Sequence, residues 1–402
     1  MRQVWGRGWR IGVRHAGAVL CAFALAAGAQ AQPRPAACSA YAWPHWEDFL
    51  VRFVQPDGRV VDTSTPQSMT TSEGQSYGMF FALVANDPDS FERLWRWSQA
   101  NLGGAQAEEP GLPAWSWGRR EDGSWGVLDR NAASDADLWF AYGLLEAARL
   151  WRRPDYTRDA QALLAQIRKR EITALPGFGA MLLPGPAGFV QPGPLWRLNP
   201  SYLPVPLLRR LAQADAQGPW EVLAGHTVQM VQANAPRGYI ADWIAYRGEE
   251  TSPPQGRFEV DPLYGARGSY DAIRNYLWAG MTPPTDPAAQ PLLAALYGME
   301  EALAARGMPP EAVQVDSGEL QGEGPFGFSA ALLPYLQARG QNALLQAQLQ
   351  RVRAALAPGQ PQDAQPRYYD YVLSLFGLGW FEQRYRFAAS GRVTLEWEKK
   401  CP

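Results

Sequence analysis

The feature of this chain that most constrains its fold is a repeated pairing of amphipathic segments. Apolar residues recur at the α-helical spacing of about 3.6 residues in twelve segments. These predicted helices span residues 45–55, 73–86, 88–101, 134–152, 155–171, 201–214, 219–233, 269–281, 288–306, 327–339, 341–357 and 368–385. Short breaks such as Asn86-Asp87-Pro88 and Arg339-Gly340-Gln341 join them in pairs, whereas long loops rich in Gly, Pro and Trp separate the pairs. Successive pairs of this kind predict an all-α fold, a closed double ring of six inner and six outer helices.

The segments between the helices predict few strands and no second domain. Alternating strand and helix units, which a parallel sheet requires, do not occur along the chain. Minor β elements are expected around Phe178–Leu183 and in the tail from Phe387 to Trp397. No Pro-rich linker divides the chain, so residues 32–402 are predicted to form a single domain, although they exceed the usual domain size.

The first 31 residues have the pattern of a secretory signal peptide. Four arginines and no acid precede an apolar run at residues 16–29, and the small-residue triplet Ala29-Gln30-Ala31 predicts cleavage before Gln32. The apolar run is short for a transmembrane span, so we expect an exported, periplasmic protein that does not span the membrane. A lipoprotein anchor at Cys38 is the alternative, but Pro35 stands where a lipobox requires an aliphatic residue.

The mature chain would keep two cysteines, Cys38 and Cys401, one near each end. They are candidates for a disulfide in an oxidising compartment, although two free thiols remain the alternative because sequence does not show their distance.

Removal of residues 1–31 changes the formal charge balance from 37 − 39 to 33 − 39, a net charge of −6. A mildly acidic chain without basic clusters indicates no nucleic-acid partner.

Several catalytic chemistries lack the residues that they need. The mature chain has only His45 and His226, in unrelated contexts, which disfavours a serine or cysteine nucleophile with a histidine base. It has no HExxH motif, no Cys/His cluster, no EF-hand loop and no phosphate-binding or dinucleotide-binding glycine motif, so we expect no metal and no cofactor.

Of the 17 tryptophans, 15 remain after loss of Trp5 and Trp9, many of them in polar loops. Carboxylates with exposed aromatic residues are typical of glycoside hydrolysis.

Candidate carboxylates occur where three of the predicted helices begin. Each follows a serine that could cap the helix, in Ser72-Glu73, Ser134-Asp135-Ala136-Asp137 and Ser269-Tyr270-Asp271. First-turn acids are common because they stabilise helix N-termini, so each one alone favours a structural role. Their shared context favours a cleft instead, because the helices that follow are apolar enough to be inner ones. Neighbouring loops carry Trp115, Trp117, Trp125 and Trp196.

Four segments together resemble glycoside hydrolase family 8, and the resemblance covers the whole mature chain. They are TTSEGQSYGM at 70–79, ASDADLWFAYGLLEAARLW at 133–151, NPSY at 199–202 and GSYDAIR at 268–274. The second segment departs from the family pattern at Phe140 and Gly143, on the helix body, and keeps the acids. The resemblance implies an (α/α)6 barrel and an inverting mechanism.

By motif, the resemblance implies Glu73 as the general acid, Asp271 as the general base and Asp135 as the residue that holds the sugar at the cleavage point. Further expected site residues are Tyr202 and Arg274, with Asp137 as support and Trp115, Trp117 and Trp196 as subsite walls. Glu73 must stay protonated although a helix N-terminus lowers a carboxyl pKa. The charge of Asp135 and desolvation by aromatic residues are expected to oppose that effect, and Arg274 is expected to keep Asp271 ionised.

The substrate implied by the resemblance is a β-1,4-glucan such as cellulose, cleaved within the chain, and a cellulose synthesis and export complex is a candidate partner. Related substrates are one alternative: chitosan, xylan or mixed-linkage glucan. A second alternative is a non-catalytic glucan-binding subunit of an export complex, for which the acid set has no use. A uronate lyase on a similar helical ring is a third, although it would need His, Tyr and Arg where this chain has acids.

Overall fold

The computed structural model describes residues 42–103, 111–249, 251–357 and 367–400. The predicted signal peptide and both cysteines, Cys38 and Cys401, lie outside these ranges, so cleavage and the disulfide stay predictions. Within the described ranges, no helix is both long and apolar enough to cross a membrane.

An inner ring of six helices forms the core of the described structure. Its members are α2 (Ser72–Val84), α4 (Ser134–Trp151), α6 (Val205–Ala214), α8 (Ile273–Met281), α11 (Phe326–Ala338) and α13 (Tyr368–Phe381). Each packs against the next, and α13 returns to α2. Most are buried along nearly their whole length, since they face the barrel axis on one side and an outer helix on the other.

Amphipathic helices cover this ring from outside. They are α1 (Pro44–Phe53), α3 (Pro88–Asn101), α5 (Pro154–Arg170), α7 (Trp220–Asn234), α9 (Ala289–Ala295), α10 (Gly298–Arg306) and α12 (Asn342–Ala355). Pro44, Pro88 and Pro154 each occupy the start of their helix, where the missing N–H is not needed. The predicted (α/α)6 double ring is confirmed, with consecutive helices paired as inner and outer members.

Four predicted helices differ from the structure by four residues or more: 269–281 begins only at Ile273, 368–385 ends at Phe381, and 201–214 and 288–306 differ as follows. The predicted helix 288–306 is two helices, α9 and α10, because Gly298 turns the chain against a neighbouring loop: its N–H donates to the Gly238 carbonyl at 3.1 Å. The predicted helix 201–214 begins only at Val205, because Pro204 disfavours helical geometry at the residue before it. A short 3₁₀ turn, Pro200–Tyr202, precedes the break.

The described β structure consists of five small antiparallel sheets. Their strands are β1 (Thr70–Thr71), β2 (Ser116–Arg119) and β3 (Trp125–Asp129); β4 (Ile172–Leu175) and β5 (Gly179–Leu182); β6 (Val190–Gln191), β7 (Leu195–Leu198), β8 (Ile244–Glu249) and β9 (Gln255–Val260); β10 (Arg267–Gly268), β11 (Ala312–Gln314) and β12 (Glu319–Gln321); and β13 (Tyr385–Phe387) and β14 (Val393–Leu395). The hairpins β4–β5 and β13–β14 confirm the two expected β regions. The four-stranded sheet β6–β9 was not predicted.

The two ends of the barrel differ. Strand β1 leads directly into α2, and β10 leads to the turn before α8, so sheets surround the end at which the inner helices begin. At the other end, β13–β14 and α14 (Glu396–Lys400) cover the helix termini. The Trp397 indole donates to the Leu83 carbonyl at 3.0 Å, and the Tyr142 hydroxyl donates to the Gly391 carbonyl at 2.8 Å. These contacts cover the ends of α2 and α4, so the beginnings of the inner helices are the more open end of the described barrel.

Aromatic side chains fill the barrel axis. Trp139 of α4 lies 4.9 Å from Phe80 of α2, 5.3 Å from Phe376 of α13 and 5.6 Å from Trp278 of α8, measured between ring centroids. Edge-on and tilted contacts of this kind favour a single packing arrangement. One buried indole thus joins four of the six inner helices.

Glycine allows the closest helix contacts, and this generates a testable prediction. A Cβ at Gly377 of α13 would lie 1.9 Å from the Ala330 carbonyl oxygen of α11, so Gly377→Ala is expected to lower the free energy of unfolding by about 3 kcal/mol. Gly143→Ala is the control, because the nearest atom to its Cβ, on Phe91, is 3.8 Å away. Urea denaturation of both variants measures the difference; equal stabilities would contradict this packing.

Candidate active site

The beginnings of three inner helices, α8, α11 and α13, line one cavity of about 580 Å³. Asp271 and Arg274 contribute from α8 and the turn before it, Phe326 from α11, and Tyr369 from α13. Glu73 at the start of α2 and Asp135 at the start of α4 join the same cluster through Arg274. The predicted convergence of the carboxylates at one end of the barrel is therefore present.

Glu73 lies in the first turn of α2, half-buried at the edge of the cleft. The helix is capped by Thr71, whose side chain accepts from the Gly74 N–H at 3.1 Å, and not by Ser72 as expected. This leaves the Ser72 hydroxyl free to donate to Glu73 Oε2 at 3.2 Å, while the Trp115 indole donates to Oε1 at 3.2 Å. Burial raises the pKa of Glu73, against the lowering effects of backbone hydrogen bonding, Arg274 and these two donors.

Asp135 is almost fully buried in the first turn of α4, with 1 % of its surface exposed. Its Oδ1 accepts from the Ala136 N–H at 2.9 Å, and its Oδ2 accepts from the Tyr77 hydroxyl at 3.4 Å. Burial, followed by repulsion from Glu73, raises the pKa of Asp135 to about 8, although Arg274 opposes the shift. Burial thus raises the pKa of both carboxyls, and each lies close enough to the other to add repulsion.

Asp271 lies in the turn that precedes α8, and not in the first helical turn as predicted. The turn is held by Asp242, whose Oδ1 accepts from the N–H groups of Ser269 at 2.8 Å, Asp271 at 3.1 Å and Ala272 at 2.7 Å. These N–H groups are thus bound before the helix begins. Sequence analysis missed Asp242 because it lies 29 residues before Asp271 and in no recognisable motif.

Arg274 is the cation that joins the carboxylates. One of its terminal nitrogens lies 3.0 Å from Asp271 Oδ1 and 3.6 Å from Asp135 Oδ2. The same nitrogen donates to Ser201 Oγ at 2.9 Å, and the guanidinium lies 5.7 Å from the Tyr202 ring centroid. The contact with Asp271 is a charge-assisted hydrogen bond.

Tyr369 is a site residue that the sequence did not indicate. It lies at the start of α13, where its hydroxyl contacts Arg274 at 3.3 Å and donates to the Tyr270 carbonyl at 2.7 Å. It therefore fixes both the cation and the turn that carries Asp271. The pair Tyr368-Tyr369 at a helix start is a weak signal in the sequence, since it belongs to no motif with a known chemical role.

Two of the predicted tryptophans lie along the cleft from Glu73. Trp115 is 38 % exposed beside Glu73, so its ring face is available to a ligand. Trp117 of β2 stacks on Trp125 at 5.4 Å and an interplanar angle of 21°, and the Arg59 guanidinium lies 4.4 Å from the Trp117 ring and 4.8 Å from the Trp125 ring. Trp125 is 47 % exposed and forms the outer end of this stack.

The third predicted tryptophan, Trp196, is not brought to the carboxylates. It pairs in register with Tyr246, and the two rings lie 6.4 Å apart on one face of the sheet β6–β9. The next residue, Arg197, points to the opposite face, where its guanidinium lies 5.2 Å from the Trp243 ring. Trp196 thus lies on the face of β7 away from Trp243.

Trp243, and not Trp196, lies near the carboxylate cluster, beside Tyr202. Its ring stacks on Phe189 at 5.8 Å and an interplanar angle of 6°, and it lies 6.4 Å from Tyr202 and 5.6 Å from Tyr264. We call Tyr202, Trp243, Phe189 and Tyr264 the aromatic row. It runs from the Arg274 side of the cluster to Tyr264, which is 54 % exposed.

Asp137 does not line the cavity. It is fully buried behind Asp135, where its carboxyl faces Glu171, the residue that follows α5. Among the described residues, no group of three or more His, Cys, Asp or Glu side chains is placed to hold a metal ion. The cluster combines Glu73, a carboxyl whose pKa burial raises, with Asp271, a carboxyl paired with arginine.

The family model of glycosyl hydrolases family 8 matches residues 30–383. The chain belongs to this family. It is 50 % identical over 370 residues to an endoglucanase of Pseudomonas fluorescens (strain SBW25), a match that covers 89 % of this chain and 92 % of that protein.

Solved structures agree with this assignment. An endo-1,4-D-glucanase from Vibrio fischeri ES114 superposes with a TM-score of 0.81 at 39 % identity, covering 89 % of this chain and all of that one. The endo-β-1,4-glucanase CMCax from Acetobacter xylinum superposes with a TM-score of 0.66 at 26 % identity, covering 85 % of this chain and 97 % of that one. The family 8 relatives thus share the whole barrel.

Asp242 provides a test of how the turn before α8 is positioned. Asp242→Ala removes the acceptor of three N–H groups, so Asp271 is expected to shift and kcat for oligosaccharide hydrolysis to fall about 100-fold, with KM nearly unchanged. Asp242→Asn keeps one oxygen for these groups and should lose far less. A fall in kcat that is equal in both variants would contradict a positioning role for Asp242.

Proposed function

We propose that this protein is an endo-β-1,4-glucanase that hydrolyses internal bonds of cellulose-like chains with inversion of configuration. The observation that carries the proposal is the meeting of two different carboxyls at one cleft. Glu73 is held where burial raises its pKa, and Asp271 accepts from a buried arginine. An inverting hydrolase needs this pair: one acid for the leaving oxygen and one base for the water.

In this mechanism Glu73 donates its proton to the glycosidic oxygen while Asp271 removes a proton from the attacking water. The two carboxyl groups of an inverting enzyme stand about 6.5 to 9.5 Å apart, to leave room for that water. Asp135, bound by Tyr77 and Arg274, would hold the sugar ring at the cleavage point through its hydroxyl groups. All three roles come from this chain's own side chains.

The aromatic residues support a β-1,4-glucan as substrate. The flat C–H face of a β-linked glucose fits an indole or phenol ring, and such rings lie on both sides of the carboxylate cluster. Trp115 and the Trp117–Trp125 stack lie beside Glu73, and the aromatic row extends from Tyr202. An elongated series of ring platforms suits a chain that enters and leaves the site, and the relatives named endoglucanase agree with that use.

We further propose that the protein acts in the periplasm and trims nascent cellulose during its synthesis and export. The signal-peptide pattern of residues 1–31 supports export, and the cellulose export complex is the partner that this role requires. Chitosan, xylan and mixed-linkage glucan are the competing substrates. A screen of the purified protein on these polymers and on carboxymethylcellulose separates them.

Glu73→Gln tests the general acid. The variant is expected to fold and to bind cello-oligosaccharides, but to lose more than 99 % of turnover on carboxymethylcellulose, on the order of the contribution of acid catalysis. Glu221→Gln is the matched control, because Glu221 is a first-turn acid of the outer helix α7 and is expected to leave turnover intact. Near-normal turnover by Glu73→Gln would exclude this residue as the acid.

The stereochemistry of the product tests the base. NMR of cellopentaose hydrolysis by the wild type is expected to show the α anomer first, since the water attacks the face opposite the leaving group. Asp271→Asn should abolish this reaction while oligosaccharide binding persists. A β anomer as first product would mean retention, and Asp271 would then not be a general base. Binding without any release of reducing ends by the wild type would favour the non-catalytic alternative.

A further inference from the structure

Two buried carboxyls face each other behind the catalytic cluster. Asp137 in the first turn of α4 and Glu171 at the end of α5 are both fully buried. None of their four carboxyl oxygens has an N–H or hydroxyl donor among the described residues. The two side chains lie within hydrogen-bonding reach of each other. They form what we call the rear carboxyl pair.

This geometry requires a proton. Two ionised carboxylates present only acceptors to each other and repel, and burial without compensating cations makes two adjacent charges very unfavourable. A single shared proton removes the repulsion and supplies the missing hydrogen bond. Burial raises the pKa of Glu171 to about 8 and the pKa of Asp137 well above its ordinary value, so at least one proton on the pair is favoured at neutral pH.

The rear pair also acts on the groups in the cleft. Asp135 repels both of its members, and Glu73 repels Asp137. These repulsions are mutual, so a negative charge on the pair favours protons on Glu73 and Asp135. Arg274 acts in the opposite direction on both cleft carboxyls. The other titratable groups that interact with Glu73 are the phenols of Tyr77, Tyr202 and Tyr368.

We propose that Asp137 and Glu171 share one proton, and that the single negative charge they retain helps Glu73 keep the proton that acid catalysis uses. They are positioning residues, since they do not reach the cavity. The second half of this proposal rests on the proposed role of Glu73 as the general acid. The first half, the shared proton, does not depend on the reaction.

The substitutions distinguish charge from shape. In Glu171→Gln an amide donor replaces the protonated acid, so the pair keeps one hydrogen bond and one negative charge. In Asp137→Asn/Glu171→Gln the pair is neutral. The alkaline limb of the kcat/KM profile on cellopentaose, an uncharged substrate, is expected to stay in place for the single variant. It should move about one pH unit lower for the double variant, because Glu73 then loses its proton more easily.

Glu146→Gln is the matched control. Glu146 is equally buried on the same helix, but it pairs with Arg149 and Arg210 away from the cleft, so its loss should not move the alkaline limb. An unmoved limb in the double variant would show that the pair's charge does not reach Glu73 and would overturn that half of the proposal. If the alkaline limb moves as far in Glu171→Gln as in the double variant, the proposal that the pair shares a single proton is overturned.

Infrared spectroscopy tests the shared proton without a measurement of activity. It does not require the Asp137→Asn/Glu171→Gln variant to fold. In D2O at neutral pH, the carbonyl stretch of a buried protonated carboxyl should be present in Glu73→Gln and weaker in Glu73→Gln/Glu171→Gln. Equal intensity in both would overturn the shared proton. If the band weakens as expected but Glu73→Gln retains turnover, the proposed function fails while the rear pair stands.

Discussion

The buried guanidinium of Arg274 is the interaction on which the active end of the barrel depends. Only 8 % of the residue is exposed, so its charge must be balanced by protein groups and not by water. It binds Asp271 from the turn before its own helix, Asp135 from α4 and Tyr369 from α13. The cation therefore holds the ends of three inner helices together.

The barrel places two opposing influences on the same carboxyls. A helix N-terminus favours an ionised acid, whereas burial favours a protonated one, and the inner helices of this fold begin inside the protein. For Glu73 and Asp135 burial is the larger effect. Asp271 lies in a turn, is 28 % exposed at its side chain and contacts Arg274 directly. The fold thus gives the carboxyls of one cluster different surroundings.

Much of the fold and the central acids could be predicted, because both leave local patterns. Apolar periodicity marks the helices, and Glu73, Asp135, Asp271 and Arg274 lie in short motifs at helix starts. The errors concern interactions between distant segments. Asp242 acts across 29 residues and has no local pattern.

The sequence also did not show on which face of a sheet a side chain lies. Trp196 and Trp243 are both loop tryptophans by sequence, and only the register of β7 with β8 shows that they lie on opposite faces of the sheet. The spacing of Asp135 and Asp137 has a similar consequence on a helix. Residues two apart point in roughly opposite directions, since each residue turns the chain by about 100°. One acid of this motif, Asp135, therefore faces Arg274 in the catalytic cluster, and the other, Asp137, faces Glu171 in the layer behind it.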